Sequence, residues 1–289
     1  MTEAEQPALR DVVRGYILLP HVVPILVVLT ATAAFALVAA GGWPGAGPMT
    51  WLLGSILGGQ LAVGAVNELV DADLDAVSRP DKPIPAGLVS LRGARVMTVD
   101  GLVAMAVLGG RLGLDALALC ALGTGFGISY SLWFKRTIWS WVPYLLALPL
   151  LPIWVWSALD EVDPALLAIY PVGAAAVIAV NLAQSLPDVA SDRASGVRTL
   201  AVALGPDRAR TTCWGAMVLA AALASALAPW LTDRAAYVWV AAALACVLVV
   251  ANLVVWRLDA RRGALAAFPC NALGAVALGV GWAAAVVAT

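Results

Sequence analysis

Residues 67–75 read NELVDADLD, and they close a long apolar run just before a charged loop at residues 76–87. In a helix, Asn67, Asp71 and Asp75 recur every four residues, so an amide and two carboxylates lie along one face. Oxygen donors of this kind suit Mg2+, which usually takes one or two carboxylates together with phosphate and water oxygens. The stretch therefore predicts a divalent-cation site at the end of an apolar helix.

A second pair of carboxylates, Asp188 and Asp192, repeats the i, i+4 spacing 117 positions after Asp71. An isolated aspartate at the end of a membrane helix is most simply a solvated charge near the lipid headgroups. Two matched pairs, each followed by basic residues, instead indicate one shared site. Asp73 lies off the face of the first pair, so we expect it to be solvated.

Basic residues near both pairs argue for a phosphate-bearing substrate. Carboxylates alone repel phosphate, whereas bridging cations reverse the local charge and basic side chains bind the remaining oxygens. An apolar tail would then lie in a tunnel between helices. Aromatic side chains near this end are placed to stabilise a carbocation, although such residues also collect at membrane interfaces. The basic residues are Arg79, Lys82, Lys135 and Arg198, and the aromatic ones are Tyr130, Trp133, Phe134, Trp139, Trp141 and Tyr144.

The composition is that of a polytopic membrane protein. Hydrophobic residues make up 62% of the chain, charged residues 12%, and the mean hydropathy is +0.92. Soluble domains carry about twice that share of charge. The net charge of −1 says nothing about partners, and we expect the lipid bilayer, and no nucleic acid, among them. The four cysteines lack C-x-x-C spacing, and the single histidine, His21, is interpreted as a packed polar residue.

Nine apolar segments are long enough to be membrane helices. With the N-terminus in the cytoplasm, fifteen of the seventeen Lys and Arg residues lie on cytoplasmic loops, and only Arg111 and Arg234 lie outside. The positive-inside rule therefore favours a multi-pass cell-membrane protein whose N-terminus and both acidic pairs are cytoplasmic. The predicted segments are residues 16–40, 49–70, 94–110, 114–130, 138–158, 164–185, 212–231, 235–255 and 265–287.

The predicted fold is an all-α bundle of about nine transmembrane helices around a central cavity. The second and sixth helices each end in an acidic pair, which indicates two four-helix pseudo-repeats with the same membrane orientation. No linker is long enough to split the chain, so residues 1–289 are expected to form one domain.

The motifs resemble those of the UbiA-type intramembrane prenyltransferases. Residues 67–75 and 79–87 are similar to the family's N-D-x-x-D-x-x-x-D and R-P-x-R-P-I-P-S-G signature. A second motif, D-x-x-x-D-x-x-x-G-x-x-T-L, is matched by Asp188, Asp192, Gly196, Thr199 and Leu200. Tyr130 and Lys135 give a looser match to the family's Tyr and Lys pair. The loop spacing is closer to the chlorophyll-synthase and archaeal ether-lipid branch than to the hydroxybenzoate branch.

The resemblance implies a Mg2+-dependent transfer of a prenyl group from a prenyl diphosphate to an aromatic or other lipophilic acceptor. An allylic cation forms as diphosphate leaves, and metal and basic groups stabilise the developing negative charge. The implied metal ligands are Asn67, Asp71, Asp75, Asp188 and Asp192, of which the four aspartates are assigned as catalytic. The implied diphosphate-binding residues are Asn67, Arg79, Lys82, Tyr130, Lys135 and Arg198.

Three positions depart from the family pattern. Glu68 stands where Asp is usual, and Ser185 and Ala190 stand where many members are acidic. Two alternatives remain open at this stage. A membrane terpene cyclase would use the same diphosphate site without an acceptor. A transporter or lipid-binding protein would hold an anion in the charged cavity, although both clusters on one side argue against transport.

Overall fold

The computed structural model describes residues 8–159, 162, 166, 167 and 169–286, and this part of the chain is helical with no strand. Pro20 and Pro149 lie between consecutive helices, where a missing backbone N–H interrupts the helical hydrogen bonds. The first and fifth predicted segments are therefore each divided in two. The helices are α1 Leu9–Leu18, α2 Val22–Ala39, α3 Ala46–Ser78, α4 Leu91–Gly109, α5 Leu114–Ser129, α6 Val142–Ala147, α7 Leu150–Leu159, α8 Ile169–Ser185, α9 Val189–Ala194, α10 Leu200–Leu204, α11 Pro206–Leu231, α12 Ala235–Leu258 and α13 Ala260–Val286.

Helical structure is present at all nine predicted segments, which confirms the all-α class. Within the described residues, eight spans are long and apolar enough to cross a membrane. The exception is α4, which carries Arg92, Arg95 and Asp100. Residues 164, 165 and 168 of the predicted sixth segment, and residue 287 of the ninth, lie outside the described residues.

Packing indicates that α4 also crosses the bundle. Lys135, just beyond α5, binds Asp71 near the end of α3, so α3 and α5 finish at the same end. The intervening chain must return to the other end, and the 19 residues of α4 span about 28 Å. A Cβ on Gly58 of α3 would lie 2.5 Å from the carbonyl oxygen of Gly101 of α4, so the two backbones are in close contact. The charged residues of α4 therefore keep it out of the eight apolar spans, although the helix is long enough to cross a bilayer core.

Neighbouring helices pair in a repeated order. Helix α3 packs on α4 and α4 on α5, as α8 packs on α11 and α11 on α12. This is the pattern that the predicted four-helix repeat requires. A central cavity of about 580 Å3 is lined by α2, α3, α5, α6, α7, α8, α9 and α13. The predicted central cavity is therefore present.

Candidate active site

The end of α3 carries the first acidic cluster. The helix has 33 residues and is about 50 Å long, which exceeds the bilayer core, so its last turns extend beyond the apolar region. Asn67, Asp71 and Asp75 line the cavity together, whereas Asp73 is exposed, as the four-residue spacing predicted. The side chains of Asp71 and Asp75 are buried. Buried carboxylates require cationic or hydrogen-bonding partners.

Lys82 is the cationic partner of two buried carboxylates of α3, Glu68 and Asp75. Its Nζ donates to Glu68 Oε1 and to Asp75 Oδ2, each at 2.7 Å. Burial by itself lowers the pKa of Lys82, but the hydrogen bonds and charges of Asp75 and Glu68 outweigh it and raise the pKa above its ordinary value. Lys82 therefore remains a cation throughout the neutral pH range.

A π-helical turn at Tyr130–Phe134 brings two further cations to Asp71. The backbone N–H of Lys135 donates to the Tyr130 carbonyl oxygen at 2.7 Å, the i to i+5 bond of such a turn. Lys135 Nζ donates to Asn67 Oδ1 at 2.7 Å and to Asp71 Oδ2. Arg136 Nη2 donates to Asp71 Oδ1 at 3.0 Å. Both oxygens of Asp71 are therefore paired with a cation.

The second acidic cluster reaches the same cavity from α8. A 3-10 turn at Leu186–Asp188 follows α8, and Pro187 lies within it, where a new helical segment can begin. Asp188 accepts a hydrogen bond from Arg79 Nη2, which joins the second cluster to the loop after α3. Asp192 lines the cavity one helical turn further on. The two clusters therefore form one site.

The cavity has a polar mouth and an apolar interior. Nine of the ten predicted site residues line it, and Arg198 is the exception. Arg198 is exposed, and its backbone N–H donates to the Arg136 carbonyl oxygen at 3.3 Å. Its neighbour Thr199 caps α10, since Thr199 Oγ1 accepts from the N–H of Val202 at 3.2 Å. This cap fixes the backbone conformation next to Arg198.

The donor chemistry at the mouth fits Mg2+. All five predicted ligands offer oxygen atoms, on two helical segments that face one cavity. Among the described residues, no three His, Cys, Asp or Glu side chains are grouped closely enough to hold a metal by themselves. Mg2+ commonly binds through one or two carboxylates and completes its shell with phosphate and water oxygens. The clusters therefore fit a cation that is shared with a phosphate group.

A family model described as the UbiA prenyltransferase family matches residues 27–273. The chain belongs to this family. Among solved structures, a UbiA homologue from Archaeoglobus fulgidus bound to GPP and Mg2+ has the same fold, with a TM-score of 0.69. It is 18% identical, and the match covers 93% of this chain and 99% of that protein. The predicted UbiA family and fold are confirmed.

Two curated relatives of this UbiA chain have specific names. It is 31% identical over 159 residues to a digeranylgeranylglyceryl phosphate synthase of Natronomonas pharaonis, which covers 54% of this chain and 57% of the relative. It is 32% identical over 197 residues to the bacteriochlorophyll synthase 33 kDa chain of Cereibacter sphaeroides, covering 63% and 64%. The chain thus matches less than two thirds of the length of either relative.

Three further residues at this candidate site were not predicted as part of it. His21 Nε2 lies 3.0 Å from Asn67 Nδ2 and 3.1 Å from Glu68 Oε1, and the residue lines the cavity. Its φ of +59° is in the left-handed region, which no sequence pattern indicated. Glu68 is buried against Lys82, so it serves as a counter-charge at the base of the site. Arg136 could have been found from its position beside Lys135, since both follow the π-helical turn.

Aromatic and amide groups complete the wall next to the mouth. The Tyr130 and Tyr144 rings meet edge to face at 5.3 Å between centroids. The Tyr144 hydroxyl donates to Gln184 Oε1. Both tyrosines belong to the aromatic set that was predicted near this end, and both line the cavity. Trp133 and Trp139 are exposed, as expected for interface residues.

Proposed function

We propose that this protein transfers a prenyl group from a prenyl diphosphate to a lipophilic acceptor, with Mg2+ as its cofactor. The single observation that supports this most is the combination of two facing carboxylate clusters with a deep apolar cavity. A diphosphate bound with metal fits the mouth, and a hydrocarbon tail fits the interior. The family and the names of the relatives support prenyl transfer, and the GPP and Mg2+ in the Archaeoglobus fulgidus homologue support the donor class.

The basic residues would bind the leaving diphosphate. Arg79, Lys82, Lys135 and Arg136 all lie at the mouth, each within reach of a carboxylate. Phosphate oxygens can take over donors of these groups, since each basic side chain carries several N–H bonds. Stabilising negative charge on the departing group lowers the barrier to breaking the carbon–oxygen bond.

Mg2+ would be held by Asn67, Asp71 and Asp75 on one side and by Asp188 and Asp192 on the other. When bound, it supplies Lewis-acid stabilisation of the diphosphate oxygens. Tyr130 and Tyr144 line the cavity next to the mouth, where their rings would stabilise the allylic cation. The apolar side chains that line the interior would limit the access of water, so that the acceptor captures the cation.

The direct test is incubation of the purified protein with Mg2+ and geranyl, farnesyl or geranylgeranyl diphosphate, with and without lipid extracts as acceptors. We expect diphosphate release that depends on an acceptor. A cyclic hydrocarbon or terpene alcohol formed without acceptor would instead favour a cyclase. Binding without any turnover would favour an anion-binding or transport role.

Substitutions in both clusters test the site itself. Asp71→Asn and Asp188→Asn keep the side-chain shape but remove charge, and we expect each to slow diphosphate release by about 100-fold or more. Asp73→Asn is the matched control on the exposed face of α3, and it should retain activity within about twofold. Full activity in both site variants would exclude the proposed metal and diphosphate site.

We also propose that the mouth opens on the cytoplasmic side. The basic residues of the site lie on loops that the positive-inside rule assigns to the cytoplasm. The mouth is surrounded by the ends of α3, α5 and α8, which are followed by most of the cations of the chain. A water-soluble magnesium diphosphate head would reach the site from this side.

A further inference from the structure

The cavity extends inward from its mouth as a tunnel with a defined depth. Three helices line it with helical periodicity from the mouth inward. The lining extends from His21, just before α2, to Phe35 of α2, from Gln184 to Ile169 of α8, and from Phe268 to Trp282 of α13. Each stretch covers about 14 residues, so all three give a depth of about 21 Å.

The inner end of the tunnel is closed by large, buried side chains. Phe35, Ile169 and Trp282 are 4%, 7% and 1% exposed, and no described residue further along these three helices lines the cavity. Phe35 meets the Trp156 ring edge to face at 6.4 Å between centroids. A Cβ on Gly279 would lie 3.0 Å from Phe35 Cζ. Phe35 is therefore held from two sides and has little room to move aside.

An isoprene unit adds four carbon–carbon bonds along the chain, which extend over about 5 Å. A depth of about 21 Å thus accommodates about four units. We infer that the tunnel accepts a prenyl chain of about four isoprene units, and that Phe35, Ile169 and Trp282 set this upper limit. This inference rests on the proposed function, because it assumes that a diphosphate is anchored at the mouth.

Two substitutions move the predicted limit in opposite directions. Phe35→Ala removes a phenyl ring, slightly larger than one isoprene unit, from the floor. Gly173→Leu shortens the tunnel, because Gly173 lines the cavity one helical turn above Ile169. A Cβ on Gly173 meets no atom within 4 Å, so the new side chain begins in open space, and this variant should fold even if Phe35→Ala does not.

The test measures binding rather than turnover. Unreactive prenyl thiolodiphosphates with two, three, four and five isoprene units are titrated into the detergent-solubilised protein with Mg2+, and Kd is determined for each. The prenyl tail moves into the tunnel from an apolar micelle rather than from water, so any gain in affinity comes from packing contacts. We expect each added isoprene unit to tighten binding about three- to tenfold. In the wild type the gain should stop at geranylgeranyl. In Phe35→Ala it should continue to geranylfarnesyl, and in Gly173→Leu it should stop at farnesyl.

Matched controls lie on α5, outside the cavity. Phe126→Ala and Gly125→Leu make the same chemical changes at positions that do not line the tunnel, and both should reproduce the wild-type series. A wild-type gain that ends at farnesyl or continues to geranylfarnesyl would refute the assigned depth. An unchanged series in both tunnel variants would refute the assigned floor. If Kd does not depend on tail length, only this inference is refuted. If the protein binds none of the thiolodiphosphates, the proposed function is refuted as well.

Discussion

Replacing Lys82 with methionine should destabilise the protein in a way that depends on pH. Lys82 is the cation that pairs with both Glu68 and Asp75, whose side chains are 2% and 8% exposed. Methionine has a similar length but no charge, so both carboxylates lose this partner. His21 remains 3.1 Å from Glu68, and therefore the larger loss falls on Asp75.

Without Lys82, a buried carboxylate either stays charged without a partner or takes up a proton, and the loss of unfolding free energy is set by whichever costs less. Removing one partner of a buried ion pair costs about 3–5 kcal/mol when the other stays charged. Taking up a proton at pH 7 costs a carboxylate with an ordinary pKa about 4 kcal/mol. We therefore expect Lys82→Met to lose about 3–4 kcal/mol of unfolding free energy at pH 7. At pH 5 protonation costs only about 1.5 kcal/mol, so the loss should shrink by about 2 kcal/mol.

The assay is the unfolding of wild type and variant in a mild detergent at pH 5, at pH 7 and at a pH above the ordinary lysine value of 10.5. Because Lys82 has a raised pKa in the folded protein, its contribution is complete below the ordinary lysine value of 10.5 and is lost as pH rises through the folded value. The variant should lack that alkaline component. The control is Arg198→Met, which removes an exposed cation outside the cavity. Equal losses in the two variants, or a loss that does not shrink at pH 5, would contradict the assigned role of Lys82.

Two further predictions concern packing and orientation. Gly64→Ala should lower the unfolding free energy by about 1–3 kcal/mol, because a Cβ there would lie 2.5 Å from Pro20 Cα. The control Gly125→Ala should not lower it, because a Cβ at Gly125 meets no atom within 4 Å. Equal thermal unfolding midpoints for the two variants would refute the close contact at Gly64. For orientation, an impermeant thiol reagent should label Ala86→Cys only from the cytoplasmic side and Trp43→Cys only from the opposite side, and the reverse pattern would overturn the proposed topology.

Much of the fold was predictable because a bilayer imposes simple requirements on a sequence. A spanning helix must be long and apolar, and the nine predicted segments all contain helix. Helix α4 shows where mean hydropathy alone is insufficient. Its charges keep it out of the eight apolar spans, yet its contact with α3 and the shared ends of α3 and α5 require it to cross. The segment predicted at residues 94–110 covers most of α4, so here the sequence pattern did identify the crossing.

The site was predictable where it depends on spacing within one helix. Asn67, Asp71 and Asp75 share a face because four residues nearly complete a helical turn. Contacts that depend on loop geometry were missed. Arg136 reaches Asp71 through a π-helical turn, and His21 reaches Asn67 from a left-handed backbone conformation. Arg198 lies outside the cavity although its neighbours Val197 and Thr199 line it, so its side chain lies on the other side of this extended segment.

The ion pairs of the first cluster have a consequence for synthesis and membrane insertion. Glu68, Asp71 and Asp75 receive their cations from Lys82, Lys135 and Arg136, so three negative charges meet three positive charges. All six residues precede residue 137, and translation completes them before α8 exists. The acidic cluster at the end of α3 can thus be neutralised while the first half is being inserted, before the second half is made. Asp188, in contrast, takes its partner Arg79 from the earlier half. Asp188 can therefore find this partner only after the earlier half has been made, and we expect the two halves to assemble in the order in which the ribosome makes them.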